Sequence, residues 1–171
     1  PPRRQGAEYE EFIKRYIETA HRLFPRAMLH FEDFGPVNAR MILATYGPDY
    51  CVFNDDVQGT GAVVVAAMYG GSDVTGIPMR DQRAVVFGAG TAGIGVADQI
   101  RDAMVADGAT AEQAAAQIWP IDKQGLLFDD MEDLRDFQAP YAKNRHQLGT
   151  GAEDRVELVD AIRMASPTIL F

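Results

Sequence analysis

One stretch of the sequence decides the fold: residues 83–106 read RAVVFGAGTAGIGVADQIRDAMVA. Its apolar beginning, Val85-Val86-Phe87, predicts a buried strand. The next six residues, Gly88-Ala89-Gly90-Thr91-Ala92-Gly93, match the pattern G-x-G-x-x-G, and a helical pattern continues to Ala106. A strand, a glycine-rich turn and a helix in this order form the diphosphate-binding part of dinucleotide-binding folds. We therefore predict an α/β fold with a partial, doubly wound, Rossmann-like parallel sheet.

Each glycine of this turn has a physical role in the prediction. Gly88 permits a tight turn, Gly90 lets the backbone approach a pyrophosphate, and Gly93 lets the helix pack closely on the strand. The backbone N–H groups and the positive end of the helix then attract the diphosphate. The alternative is a glycine turn that only packs a helix on a strand, and the flanking strand and helix make it the weaker interpretation.

A dinucleotide site also needs an acidic residue at the end of the second strand. Asp122 follows an apolar run, Ile118–Ile121, that predicts such a strand. It lies further from Gly93 than the usual ~20 residues, because two predicted helices intervene. A carboxylate there accepts hydrogen bonds from ribose hydroxyls and repels a 2′-phosphate, which favours NAD over NADP. The neighbouring Lys123 offsets part of that repulsion, and the alternative is that Asp122 only begins a turn.

The remaining pattern supplies the other elements of the fold. Four further segments are predicted to be helices. They are Glu8–Phe24, Asn38–Tyr46 with Asn38 as its cap, Gln58–Tyr69 ended by Gly70-Gly71, and Ala152–Ala165. Short strands are predicted at Ala27–Phe31, Cys51–Phe53 and Thr168–Phe171. Because the last of these is an apolar strand at the end of the sequence, we expect the chain to be a piece of a longer enzyme.

Two pairs of acidic residues follow two of the short strands. Glu32-Asp33 comes after the strand that ends at Phe31, and Asp55-Asp56 comes after the strand that ends at Phe53. Acids at strand ends can converge in the crevice outside a sheet, and Mg²⁺ and Mn²⁺ prefer oxygen ligands. From spacing alone, four solvated surface acids are the better interpretation, because paired acids are common on protein surfaces.

Composition excludes several classes of function. The chain has 16 basic and 25 acidic residues and a formal charge of −9, which disfavours binding to a nucleic-acid backbone. The single Cys51 cannot form an internal disulfide, so we expect a reducing, cytoplasmic location. The longest apolar run, Ala62–Tyr69, is far shorter than the roughly 20 residues of a membrane helix, so no membrane association is expected.

Four motifs together resemble the malic enzyme family. They are FEDF at residues 31–34, FNDDVQGT at 53–60, FGAGTAG at 87–93 and IDKQGLL at 121–127, and their order and spacing match across nearly the whole chain. The stretch from Asp122 to Arg145 is most similar to bacterial NAD-type malic enzymes and malolactic enzymes. The resemblance implies that residues 1–54 are part of the substrate- and metal-binding domain. It implies that residues 55–171 are the N-terminal half of the NAD-binding domain.

The resemblance also implies roles for individual residues. It places the ligands of Mg²⁺ or Mn²⁺ on Glu32, Asp33 and Asp56, with Asp55 supporting the site by orienting its neighbours. The loop from Gly88 to Gly93 would bind the cofactor, with Asp122 as the ribose acid and Lys123 beside it. NADP-dependent members have a lysine where Gln138 stands, which again indicates NAD.

The implied reaction is oxidation of (S)-malate by NAD⁺, followed by loss of CO₂ to give pyruvate, in a homo-oligomer (a dimer or tetramer). The family's general base, a lysine, and its general acid, a tyrosine, belong to a region that these residues do not include, so we expect the chain alone to be inactive. Two alternatives stay open. One is a malolactic enzyme that releases lactate and CO₂, and the other is a non-catalytic dinucleotide-binding module.

Overall fold

The computed structural model describes residues 4–151 and 155–171. The chain divides into two compact units, residues 1–55 and residues 56–171. The division falls next to the predicted domain boundary at residues 54 and 55. Among the described residues, no helix is both long enough and apolar enough to cross a lipid bilayer.

The first unit packs two helices against a two-stranded parallel sheet. Its core consists of Ile13, Ile17, Phe31 and Ile42. The strands pair in parallel so that Leu29 lies opposite Val52 and Phe31 opposite Asn54. Phe31 is buried and His30 is exposed, as expected when successive side chains of a strand alternate between two faces. The elements are α1 (Gly6–Leu23), β1 (Leu29–Phe31), α2 (Pro36–Tyr46) and β2 (Val52–Asn54).

The second unit is an α/β unit that begins with a π-helical turn at Asp55–Gly59. Short 3-10 turns lie at Met79–Asp81 and Ala139–Tyr141. The regular elements are α3 (Thr60–Thr75), β3 (Ala84–Phe87), α4 (Thr91–Ala106), α5 (Ala111–Ala116), β4 (Ile118–Asp122), β5 (Gly125–Leu126), α6 (Arg145–Leu148), α7 (Leu158–Ala165) and β6 (Ile169–Leu170).

The four strands of this unit lie in the order β5-β4-β3-β6. β3 pairs in parallel with both β4 and β6, and the short β5 is antiparallel to β4. Val86 of β3 packs in a core with Ile94 and Ile100 of α4, whereas Val85 packs in a second core with Ala161 of α7. Helices therefore contribute to cores on both faces of the sheet. The predicted partial, doubly wound α/β fold is confirmed.

Three predictions at helix ends are wrong. α2 begins at Pro36, a favoured first helical residue, with Gly35 rather than Asn38 at the cap. α3 continues through Gly70-Gly71 to Thr75 and is capped by Gly76, whose φ of 72° is the left-handed cap conformation. Two glycines inside the helix, each of which costs about 1 kcal/mol relative to alanine, therefore do not end it. α7 begins at Leu158 and not at Ala152 as predicted. Residues 155–157 are not helical, and residues 152–154 lie outside the described part of the chain.

Candidate functional site

The glycine turn lies at the strand from which the chain adds strands first on one side of the sheet and then on the other. From β3 the chain moves to β4 on one side, and later returns to β6 on the other side of β3. In doubly wound sheets, ligands bind at the carboxyl ends of the strands at such a switch point. The turn from Gly88 to Gly93 follows the carboxyl end of β3 directly, so the topology places it at the position where a dinucleotide would bind.

Backbone geometry explains two of the glycines. Gly88 has a φ of 107°, a conformation that favours glycine. A Cβ on Gly93 would collide with the carbonyl oxygen of Gly88, so close packing of α4 on the turn requires glycine there. The N–H groups of Gly88 and Ala89 both donate to the carbonyl oxygen of Ile121, at 2.8 and 2.9 Å. The turn is thereby attached to β4, and the N-terminal turn of α4 presents its N–H groups beyond it.

Asp122 ends β4 next to this turn. Its Oδ1 accepts a hydrogen bond from the backbone N–H of Lys123 at 2.9 Å. The buried amide of Gln138 joins the two parts of the site, because its Nε2 donates to the carbonyl oxygen of Ala89 at 2.7 Å and lies 3.4 Å from Oδ2 of Asp122. The side chain of Gln138 therefore fixes the position of the proposed ribose acid relative to the glycine turn.

Two cavities flank the turn within the second unit. One, of about 280 Å³, is lined by Phe87, Gly88, Ile121, Asp122, Lys123, Arg155 and Glu157. The other, of about 270 Å³, lies on the α3 and β6 side, and its lining includes Thr60, Gly93 and Phe171. Two cavities on opposite sides of one glycine turn suit the two halves of a dinucleotide.

Sequence reasoning missed Arg155 and Glu157. Nη2 of Arg155 donates to the carbonyl oxygen of Lys123 at 2.8 Å, and its Nε lies 2.6 Å from Oε1 of Glu157. Both residues precede α7, which returns the chain to β6. A helix that precedes a parallel strand begins at the carboxyl edge of the sheet, so this topology is the signal that could have identified them.

The acidic residues of the first unit meet at the ends of β1 and β2. Nε2 of His30 lies 3.2 Å from Oε1 of Glu32 and 3.9 Å from Oδ1 of Asp55. The possible ligand atoms of these three residues all lie within 4.8 Å of one another. The structure thus brings together two of the predicted carboxylates, and adds a histidine that sequence reasoning did not include.

Asp33 and Asp56 complete the predicted ligand set, and their metal-binding role stays a prediction. Asp33 has a φ of 59°, which interrupts the extended backbone after β1. An uninterrupted strand would send the side chains of Glu32 and Asp33 to opposite faces. Asp56 is half-buried at the start of the second unit. A set of carboxylate oxygens fits the preference of Mg²⁺ and Mn²⁺.

A larger cleft of about 770 Å³ lies elsewhere in the second unit and contains the buried amine of Lys143. Nζ of Lys143 donates to the carbonyl oxygen of Ala116 at 2.7 Å, at the end of α5, and lies 5.3 Å from the ring centroid of Trp119. Burial lowers the pKa of Lys143 to about 7, because it disfavours the charged ammonium. The carbonyl group at the end of α5 and the ring of Trp119 oppose this lowering of the pKa, because both stabilise the charged ammonium.

Tyr141 joins the irregular segment before α6 to α4. Its Oη donates to Oδ1 of Asp98 at 2.7 Å. The ring is fully buried, and this burial together with the neighbouring carboxylate raises the pKa of Tyr141 far above its ordinary value. Tyr141 therefore stays neutral and structural rather than acting as an acid or base.

Comparison with known proteins identifies the family of the chain. The family model described as "Malic enzyme, NAD binding domain" matches residues 57–171, and "Malic enzyme, N-terminal domain" matches residues 1–47. The chain belongs to the malic enzyme family. The predicted resemblance is confirmed, and the Rossmann-like sheet is the malic enzyme NAD-binding domain in part.

Relatives of this malic enzyme chain agree on the family but differ in the activity that they are named for. A protein of Mycobacterium tuberculosis (strain H37Rv), named "Putative malate oxidoreductase" with NAD, is 78% identical over 168 residues. NAD-dependent malic enzyme 3 of Bacillus subtilis is 46% identical, and the malolactic enzyme of Lactococcus lactis is 43% identical. These alignments cover 98%, 97% and 96% of the chain. The chain spans only about 30% of the length of each of these relatives.

Solved malic enzyme structures share the fold. The NAD-dependent malic enzyme of Thermotoga maritima superposes with a TM-score of 0.63 at 24% identity, over 87% of this chain and 37% of that one. The Entamoeba histolytica malic enzyme gives a TM-score of 0.56 at 25% identity, over 75% of this chain and 25% of that one. At this level of identity the agreement supports the fold, and the chemistry has to be argued from the residues.

Proposed function

We propose that the full-length protein containing this chain is an NAD- and divalent-metal-dependent enzyme that oxidatively decarboxylates (S)-malate to pyruvate and CO₂. The observation that carries the proposal is the group of acidic side chains at the ends of β1 and β2, in a chain that also has a dinucleotide turn. A module that only bound a dinucleotide would have no use for the carboxylates of Glu32 and Asp55 close together at these strand ends.

The residues of the second unit bind and orient the cofactor in this proposal. The N-terminal turn of α4 would hold the diphosphate between Gly88 and Gly93. The carboxylate of Asp122 would accept hydrogen bonds from the ribose hydroxyls and repel a 2′-phosphate, with Lys123 beside it. Gln138 would keep that carboxylate in position through its contacts with Ala89 and Asp122.

The acidic residues would hold the metal and thereby the substrate. Glu32, Asp33 and Asp56 would ligate Mg²⁺ or Mn²⁺, and Asp55 would orient its neighbours. When bound, the dication polarises the substrate's hydroxyl and later its carbonyl group, while NAD⁺ accepts the hydride. Because a general base and a general acid are expected outside these residues, the isolated chain would retain ligand-binding groups without turnover.

A second candidate is a malolactic enzyme, which the malolactic relatives at 39–43% identity favour. Both activities use malate, a dication and NAD, so product analysis separates them. The full-length protein is assayed with malate, Mn²⁺ and NAD⁺. Net NADH together with pyruvate supports the first candidate, whereas lactate without net NADH supports the second. NAD binding that neither malate nor Mn²⁺ affects, without any product, would contradict both and favour a non-catalytic module.

Replacement of a proposed ligand tests the metal assignment separately. We expect Asp56→Ala in the full-length protein to lower turnover by at least ~10²-fold, with NAD affinity within about threefold of wild type. The measurements are steady-state kinetics and NAD titration. Asp129→Ala, a change in an acidic loop of the same unit, serves as the matched control and should leave turnover unaltered. Unchanged turnover in Asp56→Ala would contradict the metal assignment.

Measurement of the molecular mass of the full-length protein in solution would test the expected homo-oligomer.

A further inference from the structure

His30 is the one member of the clustered group in the first unit to which the proposed function gives no role. The register of the parallel pair explains why it lies there. His30 of β1 is opposite Phe53 of β2, and their rings meet edge to face at 5.4 Å between centroids. Glu32 follows His30 by two residues, and Asp55 follows Phe53 by two residues. The register places His30 and Phe53 side by side on one face of the sheet. Glu32 and Asp55 come directly after the strands, Asp55 as the first residue of the π-helical turn, and both carboxylates lie beside Nε2 of His30.

The other face of the pair is buried, which makes this arrangement specific. Phe31 is 5% exposed and lies in the core with Ile17 and Ile42, and its register partner Asn54 is 1% exposed. A shift of the register by one residue would move Phe31 out of the core, so the packing fixes which side chains share the open face. The core therefore fixes the face of the sheet on which His30 meets the two carboxylates.

One imidazole nitrogen faces both carboxylates. Nε2 of His30 is at hydrogen-bond distance from Glu32, at 3.2 Å, and at 3.9 Å from Asp55. The side chains are 43%, 58% and 48% exposed, so such ion-pair contacts contribute little to folding stability. The same contact has a larger effect on a metal site, because groups that hydrogen-bond to carboxylate ligands fix their orientation and tune affinity.

We propose that His30 is a positioning residue that orients the carboxylate of Glu32 toward the divalent cation without ligating it. This inference rests on the proposed function, since it requires Glu32 to be a ligand. The N–H at Nε2 donates to Oε1 of Glu32, which leaves the second carboxylate oxygen for the cation. Glu32, Asp33 and Asp56 already provide three carboxylates, and Mg²⁺ completes its shell with water and substrate oxygens rather than with nitrogen.

The test is Mn²⁺ binding to the full-length protein, measured by electron paramagnetic resonance of the free ion. His30→Leu removes the donor, and we expect it to weaken Mn²⁺ binding by ~10–100-fold, the usual effect of losing such an orienting group. His30→Gln places an amide N–H near the same position, and we expect it to restore the affinity to within about threefold of wild type. NAD affinity should stay unchanged in both variants, which verifies that the second unit is folded, and an unchanged far-ultraviolet circular dichroism spectrum verifies that the first unit is folded.

Electron spin-echo envelope modulation of the Mn²⁺ complex adds a second readout. We expect no modulation from a directly bound imidazole nitrogen in the wild type. Such modulation would overturn the proposal by making His30 a ligand, as would His30→Leu with unchanged Mn²⁺ affinity, or equal losses in His30→Leu and His30→Gln.

The failure of the proposed function would look different. If wild-type protein bound no Mn²⁺, or if Glu32→Gln bound it as tightly as wild type, the metal assignment itself would be wrong. If Glu32→Gln lost Mn²⁺ while His30→Leu kept it, only the role of His30 would be wrong.

Discussion

At the scale of the residue, Lys143 shows how burial turns an ordinary side chain into a pH-dependent one. Lys143 is 8% exposed, and its amine donates a hydrogen bond to the carbonyl oxygen of Ala116 at the end of α5. The local sequence around Lys143 does not predict this environment, because nothing in it indicates burial of a charged group. Its environment depends on the backbone of residues 127 and 129, whose pairing with residue 143 brings the side chain under α5.

The pKa of Lys143, lowered by burial to about 7, leads to a prediction for stability. Its unfolded-state pKa is about 10.4, so between pH 7 and 10 the unfolded state binds more protons and stability rises with pH. Below pH 7 both states are protonated, and the unfavourable burial of the ammonium is fully present. We expect the unfolding free energy of wild type, relative to Lys143→Met, to increase by about 2 kcal/mol between pH 7 and 9.

Chemical denaturation of the full-length protein at several pH values measures this difference. Lys14→Met, at an exposed position of α1, is the matched control and should show no such trend. A difference between wild type and Lys143→Met that stays constant or falls with pH would show that the amine remains fully protonated in the folded protein.

At the scale of the element, two glycines of the strand–turn–helix unit have different roles, one in packing and one in the proposed cofactor binding. Gly93 lets α4 pack against the turn, because a Cβ there would meet the carbonyl of Gly88. Gly90 has a φ of −73°, and a Cβ there would meet no atom within 4 Å. The fold therefore needs glycine at position 93, whereas Gly90 leaves open space in front of α4 that the proposed diphosphate would use.

Alanine at each position should therefore give opposite results. We expect Gly93→Ala to destabilise the protein by about 1–3 kcal/mol or more, since neither backbone can move away easily. We expect Gly90→Ala to change stability by less than about 0.5 kcal/mol, because alanine adopts that φ readily. Gly90→Ala should nevertheless weaken NAD binding at least ~10-fold, equivalent to about 1.4 kcal/mol. Calorimetric NAD titration and denaturation of both variants measure this. Tight NAD binding by Gly90→Ala would contradict the position of the diphosphate.

The same unit shows how far sequence reasoning reaches. The strand, the glycine turn, α4 and the acid at the end of β4 were predictable, because periodicity and glycine spacing are local. The end of α3 was not, because Gly70-Gly71 resembles a helix stop, whereas the helix continues to Thr75 and ends at the left-handed cap of Gly76. The hydroxyl groups of Ser72 and Thr75 donate to the carbonyl oxygens of Ile77 and Gly71 at this end. The resemblance connects Gln138 with the choice between NAD and NADP, but the hydrogen bond of Gln138 to Ala89 could not be predicted from local sequence. Arg155 reaches Lys123, and His30 approaches Asp55, through contacts between distant segments. These contacts could be inferred only once the strand order and register were known.

At the scale of the whole molecule, the residues proposed to bind NAD and most of those proposed to bind the divalent cation belong to different compact units. The glycine turn, Asp122 and the flanking cavities belong to residues 56–171, whereas Glu32, Asp33 and Asp55 belong to residues 1–55. Asp56 is the first residue of the second unit and follows Asp55 directly, so the proposed metal ligands come from both. Oxidation of malate by NAD⁺ needs the two ligands together, and residues 55–56 are the segment that links them along the chain.

This assignment predicts separate patterns of hydrogen exchange in the full-length protein. A ligand that binds only the native state stabilises it by about 2.7 kcal/mol at 100 times its Kd, which slows exchange through unfolding by about 100-fold. We expect NAD to protect amides in residues 84–94 and 118–123, and Mn²⁺ to protect residues 29–34 and 52–56. Mass spectrometry of peptides with and without each ligand measures both effects. At the same NAD concentration, Gly90→Ala should reduce the NAD effect at least ~10-fold and keep the Mn²⁺ effect, whereas Asp56→Ala should reduce the Mn²⁺ effect and keep the NAD effect. NAD protection confined to residues 29–34 would contradict the division of the two sites, because the strand ends of the first unit have no dinucleotide turn to hold the cofactor.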